Sequence, residues 1–239
     1  MLKICILGSG SDGNAVYVNC DGHQMLFDCG FSKRETEKRL STIGRSVKDI
    51  ERVFITHAHK DHCAPWVTKE GLLPEWGCFR TMEYLFVAGD CLVKNFPLSH
   101  DSESGSVGYT IQDKDGNKVV IALDTGCIPE EALPCFFDAN IILIECNYDI
   151  SLLVEGKYSI EMQERIASNT GHLLNEDAAD TVECVAWNSL KYVVGLHLSS
   201  SNNNPELVRF CLSNAVRDIP GCEVIVSSQK EPTKMITII

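Results

Sequence analysis

Residues 56–66 read THAHKDHCAPW and place His57, His59, Asp61 and His62 within six positions, directly after the apolar run Val53-Phe54-Ile55. A β-strand over Arg52–Thr56 would therefore deliver a ligand-bearing turn at its C-terminal end. Neutral imidazoles and carboxylates are the donors that a zinc-type site requires. In an extended or turning segment, residues two apart point the same way. His57 and His59 can thus grip one cation, while Asp61 and His62, reached as the chain turns into a helix, grip a second. A His-x-His-x-Asp-His quartet should arise by chance in only on the order of a few per ten thousand chains of this size, so it carries weight that a lone His does not.

Outward from this turn, three more histidines and one acid fall at strand ends or in loops beside turn-forming residues. They are His100 in PLSHDSESGSVGY, Asp124 in IALDTG, His172 in TGHLLNEDAA and His197 in GLHLSSSNNNP; His23 alone does not share the pattern. Each of His100, Asp124 and His197 is weak by itself. Together they would complete two coordination shells, with a carboxylate such as Asp124 bridging two ions about 3.5–4 Å apart.

Composition bounds the rest. A chain of 239 residues with 44% hydrophobic content can bury a full core. The opening apolar run Met1–Leu7 is too short for a secretory signal, and no stretch approaches the length needed to span a bilayer, which predicts a soluble, cytoplasmic protein. Twelve cysteines scattered without a Cys-x-x-Cys pair argue against a zinc knuckle or a disulfide framework and predict mostly buried, reduced thiols. The net charge of −12 opposes broad binding of duplex nucleic acid, although bound cations would make a site locally positive for an anionic substrate.

The patterning predicts strands at Leu2–Leu7, Ala15–Asn19 and Met25–Cys29, then a helix over Lys33–Ile43 with Leu40 and Ile43 facing inward. Residues 64–88 carry mixed signals, with Pro65 starting a helix and Pro74 and Gly77 breaking the segment up. Ser106–Gln112 and Lys118–Leu123 flank an Asp115-Gly116 turn and read as a hairpin. Strands at Asn140–Glu145, Tyr192–Leu198, Glu223–Ser227 and Lys234–Ile238 alternate with helices at Ser159–Ser168, Glu176–Trp187 and Pro205–Val216. With no Ser/Pro-rich linker, residues 1–239 read as a single α/β domain, two sheets packed together with helices outside.

These motifs resemble the metallo-β-lactamase fold superfamily from end to end. The resemblance implies a four-layered αββα sandwich of two mixed sheets and a metal set of His57, His59, Asp61, His62, His100, Asp124 and His197. Asp28, in LFDCG, resembles the early aspartate that supports the metal-binding turn by hydrogen bonding. A closer resemblance is to the YycJ/WalJ-like branch, carried by ILGSGSDGNAVYV, LDTG, IECNYD, GHLLNEDAA, HLSSSNNNPEL and SSQKEPTKMITI. That branch implies a metal-dependent nuclease acting on DNA, exonuclease-like. The segment between His62 and His100 departs from its pattern and looks shortened, which leaves substrate length and polarity of attack open.

With seven ligand positions assigned, His172 is free for another duty. The arrangement is similar to the tRNA 3′-end processing nuclease, in which a late His supported by a Glu protonates the leaving oxygen; by that resemblance Glu145 is the partner. Asp61 and His172 then join Glu145 as catalytic candidates. The alternative is that His172 only caps the helix beginning near Asn175. GSGSDGN is read as a tight turn rather than a phosphate cradle, with Ser11 and Asn14 within reach of substrate. SSSNNNP is read as a polar loop capping the Pro205 helix, with Asn203 or Asn204 lining the site.

The expected activity is a phosphodiesterase with two divalent cations, zinc first and manganese or iron(II) tolerated. Its substrate would be a single strand, a DNA end or a nucleotide, with no membrane partner; the oligomeric state stays open, a homodimer included. The rivals are a cyclic or linear nucleotide phosphodiesterase, which the acidic balance favours slightly, and a carbonyl hydrolase of lactamase or thioesterase type. His59 argues against the flavodiiron redox relatives, which carry a Glu at that position.

Overall fold

The computed structural model describes residues 1–73, 85–103 and 105–238. Pro74 and Gly77, expected to break up the segment after the histidine turn, lie outside the described residues. A five-stranded sheet has the order β12-β1-β2-β3-β4, built from Leu2–Gly8 (β1), Ala15–Cys20 (β2), His23–Phe27 (β3), Arg52–Phe54 (β4) and Ile236–Ile238 (β12). Its pairings are antiparallel except β3 with β4. A seven-stranded sheet has the order β11-β10-β9-β8-β7-β6-β5. It comprises Leu85–Ala88 (β5), Cys91–Leu98 (β6), Ser106–Gln112 (β7), Lys118–Ala122 (β8), Ile141–Glu145 (β9), Tyr192–Leu196 (β10) and Glu223–Val226 (β11). Strands β8 to β11 run parallel and β5 to β8 antiparallel, so both sheets are mixed.

Alternation along the strands sets the layers. On β1, Ile4 and Ile6 point into the space between the sheets, where they meet Val93, Val107, Ile121, Leu143 and Val194 of the second sheet. Cys5 and Leu7 point the other way, under Leu40 of helix α1 (Lys33–Thr42) and Val67 of α2 (Pro65–Lys69). The outer face of the second sheet, with Val120, Ile142 and Val193, is covered by Ala178 and Val182 of α5 (Asn175–Val185) and Val208 and Leu212 of α6 (Pro205–Ala215). Three apolar clusters between four layers make the expected αββα order. Residue by residue, both faces of the central strands are buried, which is why they read as near-continuous apolar runs.

Departures from the sequence reading have local causes. Helix α1 stops at Thr42, and Ile43 forms its C-terminal cap, half-buried beside the cluster. Strand β4 ends at Phe54 because the Thr56 amide donates to the Asp28 carboxylate rather than to a neighbouring strand. Short helices α3 (Ile150–Val154) and α4 (Ile160–Ile166) follow β9, each opened by an oxygen side chain, Asp149 and Ser159. The thiols are less uniformly buried than expected. Of the eleven described, five are buried, five are half-buried and Cys184 is exposed.

Candidate metal centre

Three side chains of the site stand on residues with left-handed backbone: Asp28 at φ 57°, Asp124 at φ 51° and His197 at φ 53°. They follow β3, β8 and β10 directly or by one or two positions. An L-residue adopts this conformation at a cost that surrounding structure must cover, and Asp and His are among the side chains that tolerate it. The same local reversal thus aims groups from both sheets into one edge of the sandwich. Gly30 lets the chain pass there: a Cβ at this position would run into the Asp61 carbonyl.

The expected ligands converge. His57, His59, His100 and Asp124 form one donor group and Asp61, His62, Asp124 and His197 a second, within each of which one ligand atom per residue lies within 4.8 Å of the others. Asp124 belongs to both, and to a third group with Glu145, His172 and His197. Its Oδ2 lies 3.6 Å from His57 Nε2, 3.1 Å from His62 Nε2 and 3.9 Å from His100 Nε2. Asp61 Oδ2 lies 3.3 Å from His62 Nε2 and 3.8 Å from His197 Nε2.

Second ring nitrogens are held from behind. Nδ1 of His62 meets Asp28 Oδ2 at 2.7 Å, that of His57 meets the Thr56 hydroxyl at 3.0 Å, and that of His100 donates to the Gly171 carbonyl at 2.8 Å. His197 Nδ1 meets Glu145 Oε1 at 2.9 Å. Asp28 therefore sits where the resemblance placed it, and it also accepts from the Thr56 amide and hydroxyl. Such partners fix ring orientation and leave the other nitrogen for a cation.

Asp124 Oδ1 lies 2.9 Å from His197 Nδ1, and His197 Nε2, which makes no hydrogen bond, lies 3.8 Å from Asp61 Oδ2. A buried ring nitrogen without a hydrogen bond is unfavourable, and a bound cation would satisfy it. The electrostatics agree. Burial, reinforced by His62, pushes His57 down to about 2, and burial also lowers His59. Burial works equally against charge on His62 and His197, but Asp124 overrides it and holds both well above the ordinary imidazole value. In turn, burial opposes ionisation of Asp61 and Asp124, yet the His62 and His197 contacts keep both carboxyls low. Protons here balance clustered acids, a duty a divalent cation would take over. The residues fit metal ions.

Beside the cluster, Glu145 is buried at the end of β9, and its Oε1 lies 2.7 Å from His172 Nδ1 while Oε2 accepts from the Thr125 amide at 2.7 Å. Burial would raise Glu145 and depress His172; their mutual attraction reverses both shifts. Helix α5 starts at Asn175 without a side-chain cap, so His172 does not cap it and is held by Glu145 instead.

The substrate-contact expectations fare differently. Ser11 is exposed and lines the cavity beside His172. Asn14 is fully buried, accepting from Gly10 N and Ser9 Oγ and lying 3.0 Å from His62 Nε2, so it braces the glycine turn and is not offered to substrate. Asn203 spends its amide on Asn175 and the Cys146 carbonyl, and the exposed Asn204 caps α6 through its Oδ1. The residue of that run lining the cavity is Asn202, which the sequence reading missed. Three consecutive asparagines gave no signal to choose among them.

Exodeoxyribonuclease WalJ of Streptococcus pneumoniae serotype 2 is 30% identical to this chain, over 89% of the chain and 87% of WalJ. The chain belongs to the YycJ/WalJ exodeoxyribonuclease family. Exodeoxyribonuclease YycJ of Bacillus anthracis is 28% identical over 98% of both chains. The family described as Anti-Pycsar protein Apyc1 matches residues 2–65, the part of this YycJ/WalJ relative that contains the histidine turn. Among solved structures, the metallo-β-lactamase fold protein YhfI of Bacillus subtilis superposes with a TM-score of 0.69 at 14% identity, covering 97% of this chain and 98% of YhfI. The short form of human tRNase Z superposes at 0.65 with 20% identity and 99% coverage of both. The YycJ/WalJ family member described here therefore has the metallo-β-lactamase fold. Among its described residues no helix is long and apolar enough to cross a membrane.

Proposed function

We propose that this chain is a dinuclear-metal phosphodiesterase acting on DNA as an exonuclease, on single strands or duplex ends. The observation that carries the reading is Asp124 shared between two donor groups, with the Glu145–His172 pair 2.7 Å apart alongside. His57, His59 and His100 would hold one cation and Asp61, His62 and His197 the other, zinc being the first choice for this donor set and manganese or iron(II) acceptable. Such cations, when bound, acidify water and stabilise negative charge on phosphoryl oxygens.

The protein's own groups do the rest. Asp61, on the more open side of the cluster, orients the attacking water. Glu145 holds a proton on His172 and fixes its ring through Nδ1, leaving Nε2 to protonate the departing ribose oxygen. Residues 1–239 act as one hydrolase domain. Cysteines scattered without a Cys-x-x-Cys pair support a reducing, cytoplasmic setting.

Metal-loaded protein incubated with single-stranded oligonucleotides, duplex DNA and cyclic mononucleotides tests this directly. Shortening of the DNA from an end is expected. Consumption of cyclic mononucleotides alone would replace the reading with a small-nucleotide phosphodiesterase, which the net charge of −12 favours.

A further inference from the structure

Beyond the metal cluster, two cavities meet at Asn202 and Tyr158. The inner one, about 210 Å³, is lined by His172, Ser11, Met162 and Arg165 as well. The outer one, about 420 Å³, runs past Lys157 and Gly156. Asn202 is 1% exposed, yet neither Nδ2 nor Oδ1 of its amide has a hydrogen-bond partner. Its backbone is fully engaged, with N–H donating to Ser199 Oγ at 3.1 Å and C=O accepting from Asp149 N at 2.9 Å, so the residue is held rigidly while its side chain stays free. A buried, unsatisfied amide costs stability and is retained where a ligand completes it.

The walls indicate which ligand. Tyr158 and Met162 are 42% and 39% exposed, an aromatic and a thioether face that a flat ring can cover. Arg165 is pinned beside them, Nε and Nη2 each 2.7 Å from Asp101 Oδ2. Asp101 adjoins the expected ligand His100. A carboxamide offers one donor and one acceptor in a plane, the complement of the donor–acceptor edge that every nucleobase presents. His172 lines the inner cavity and also lies in the donor group of Asp124, Glu145 and His197.

Resting on the nuclease reading, we propose that this paired cavity is a nucleobase subsite. It takes the base of the nucleoside whose oxygen His172 protonates, read on its edge by the Asn202 amide and stacked against Tyr158. The subsite gives the cleft a grip on one unpaired terminal nucleotide without a basic surface, consistent with a chain of net charge −12.

Calorimetric titration of the zinc-loaded full chain with a deoxynucleoside 5′-monophosphate and with 1,2-dideoxyribose 5-phosphate, which has hydrogen in place of the base, tests it. The intact nucleotide should bind at least about tenfold more tightly. Asn202→Ala should bring the two within about twofold while leaving the 1,2-dideoxyribose 5-phosphate affinity unchanged, because the side chain bonds nothing in the protein. Asn202→Asp, which keeps the shape, removes the donor and adds a charge, should also bring the two within about twofold, with both weakened by repulsion between the carboxylate and the phosphate. Equal affinity in the parent protein, a base preference that survives both variants, or no binding of either ligand would overturn the subsite. Hydrolysis is scored separately: base-dependent binding lost in Asn202→Ala together with no cleavage of any DNA would sink the nuclease reading and leave the subsite standing.

Discussion

Oδ2 of Asp28 lies 2.7 Å from Nδ1 of His62, while Oδ1 accepts from the Thr56 amide at 2.8 Å. One carboxylate thus fixes both the start of the histidine turn and the ring at its end. Asp28→Asn keeps the volume and tolerates the left-handed backbone, so it isolates the charge. Metal affinity should fall about 10- to 100-fold, read by competition with a chelating dye, with far-ultraviolet circular dichroism unchanged. Undiminished affinity would mean that Asp28 only supports the chain.

The passage of Gly30 beneath the Asp61 carbonyl leaves no room for a methyl group. Gly30→Ala must push back the backbone carrying Asp61, and overpacking of this kind costs about 1–3 kcal/mol. Both thermal stability and metal content should drop, the second because Asp61 and His62 move together.

Because His172 meets Glu145 and is assigned no metal contact, His172→Ala should preserve metal stoichiometry while lowering kcat on DNA by about 10²- to 10⁴-fold. The loss should shrink on a phosphodiester with a p-nitrophenolate leaving group, which departs without a proton. An equal loss on both substrates would assign His172 to binding rather than to proton transfer.

Removal of metal by chelation should lower the melting temperature. A ligand present at 100 times its dissociation constant stabilises a fold by about 2.7 kcal/mol. His197 Nε2, buried without a hydrogen bond, locates that stabilisation, so adding zinc back should restore the transition, and His197→Ala should abolish most of the recovery. Differential scanning fluorimetry with and without chelator measures both.

The cluster of histidines and acids was readable because its residue types are chemically selective and follow the ends of apolar runs, where a strand must stop. The layer order was readable for the same reason, since Ile4 and Cys5 are buried on opposite faces of one strand. What escaped depends on partners distant in sequence. Asn203 is consumed by Asn175, 28 positions away, while Asn202, its neighbour, is left with a free amide; no local pattern distinguishes them. Asn14 looked like a loop residue open to ligand, and its burial follows from the Gly10 and Asp61 backbones closing over it. Helix α3 and the edge strand β5 are too short for periodicity to announce them.

Arg39 ties the first sheet to the turn that carries Ser9. Its Nη1 donates to the Leu7 carbonyl at 2.6 Å, Nη2 to the Gln229 carbonyl at 3.1 Å and Nε to Glu35 at 2.8 Å, while the guanidinium lies 4.1 Å from the centre of the Phe31 ring. Gln229 in turn receives the Asp12 amide, and Ser9 Oγ receives the His197 amide, so the path from α1 ends at the histidine cluster. A lysine at position 39 supplies one compact ammonium where three diverging donors and a flat stacking face are needed. Arg39→Lys should therefore leave at least one carbonyl unpaired, cost about 1–3 kcal/mol and lower the melting temperature by several degrees. Metal affinity should change far less than in Asp28→Asn, because the ligands keep their own hydrogen bonds. Were Arg39→Lys to unfold at the parent temperature, the guanidinium contacts would have to be treated as surface pairing of negligible worth.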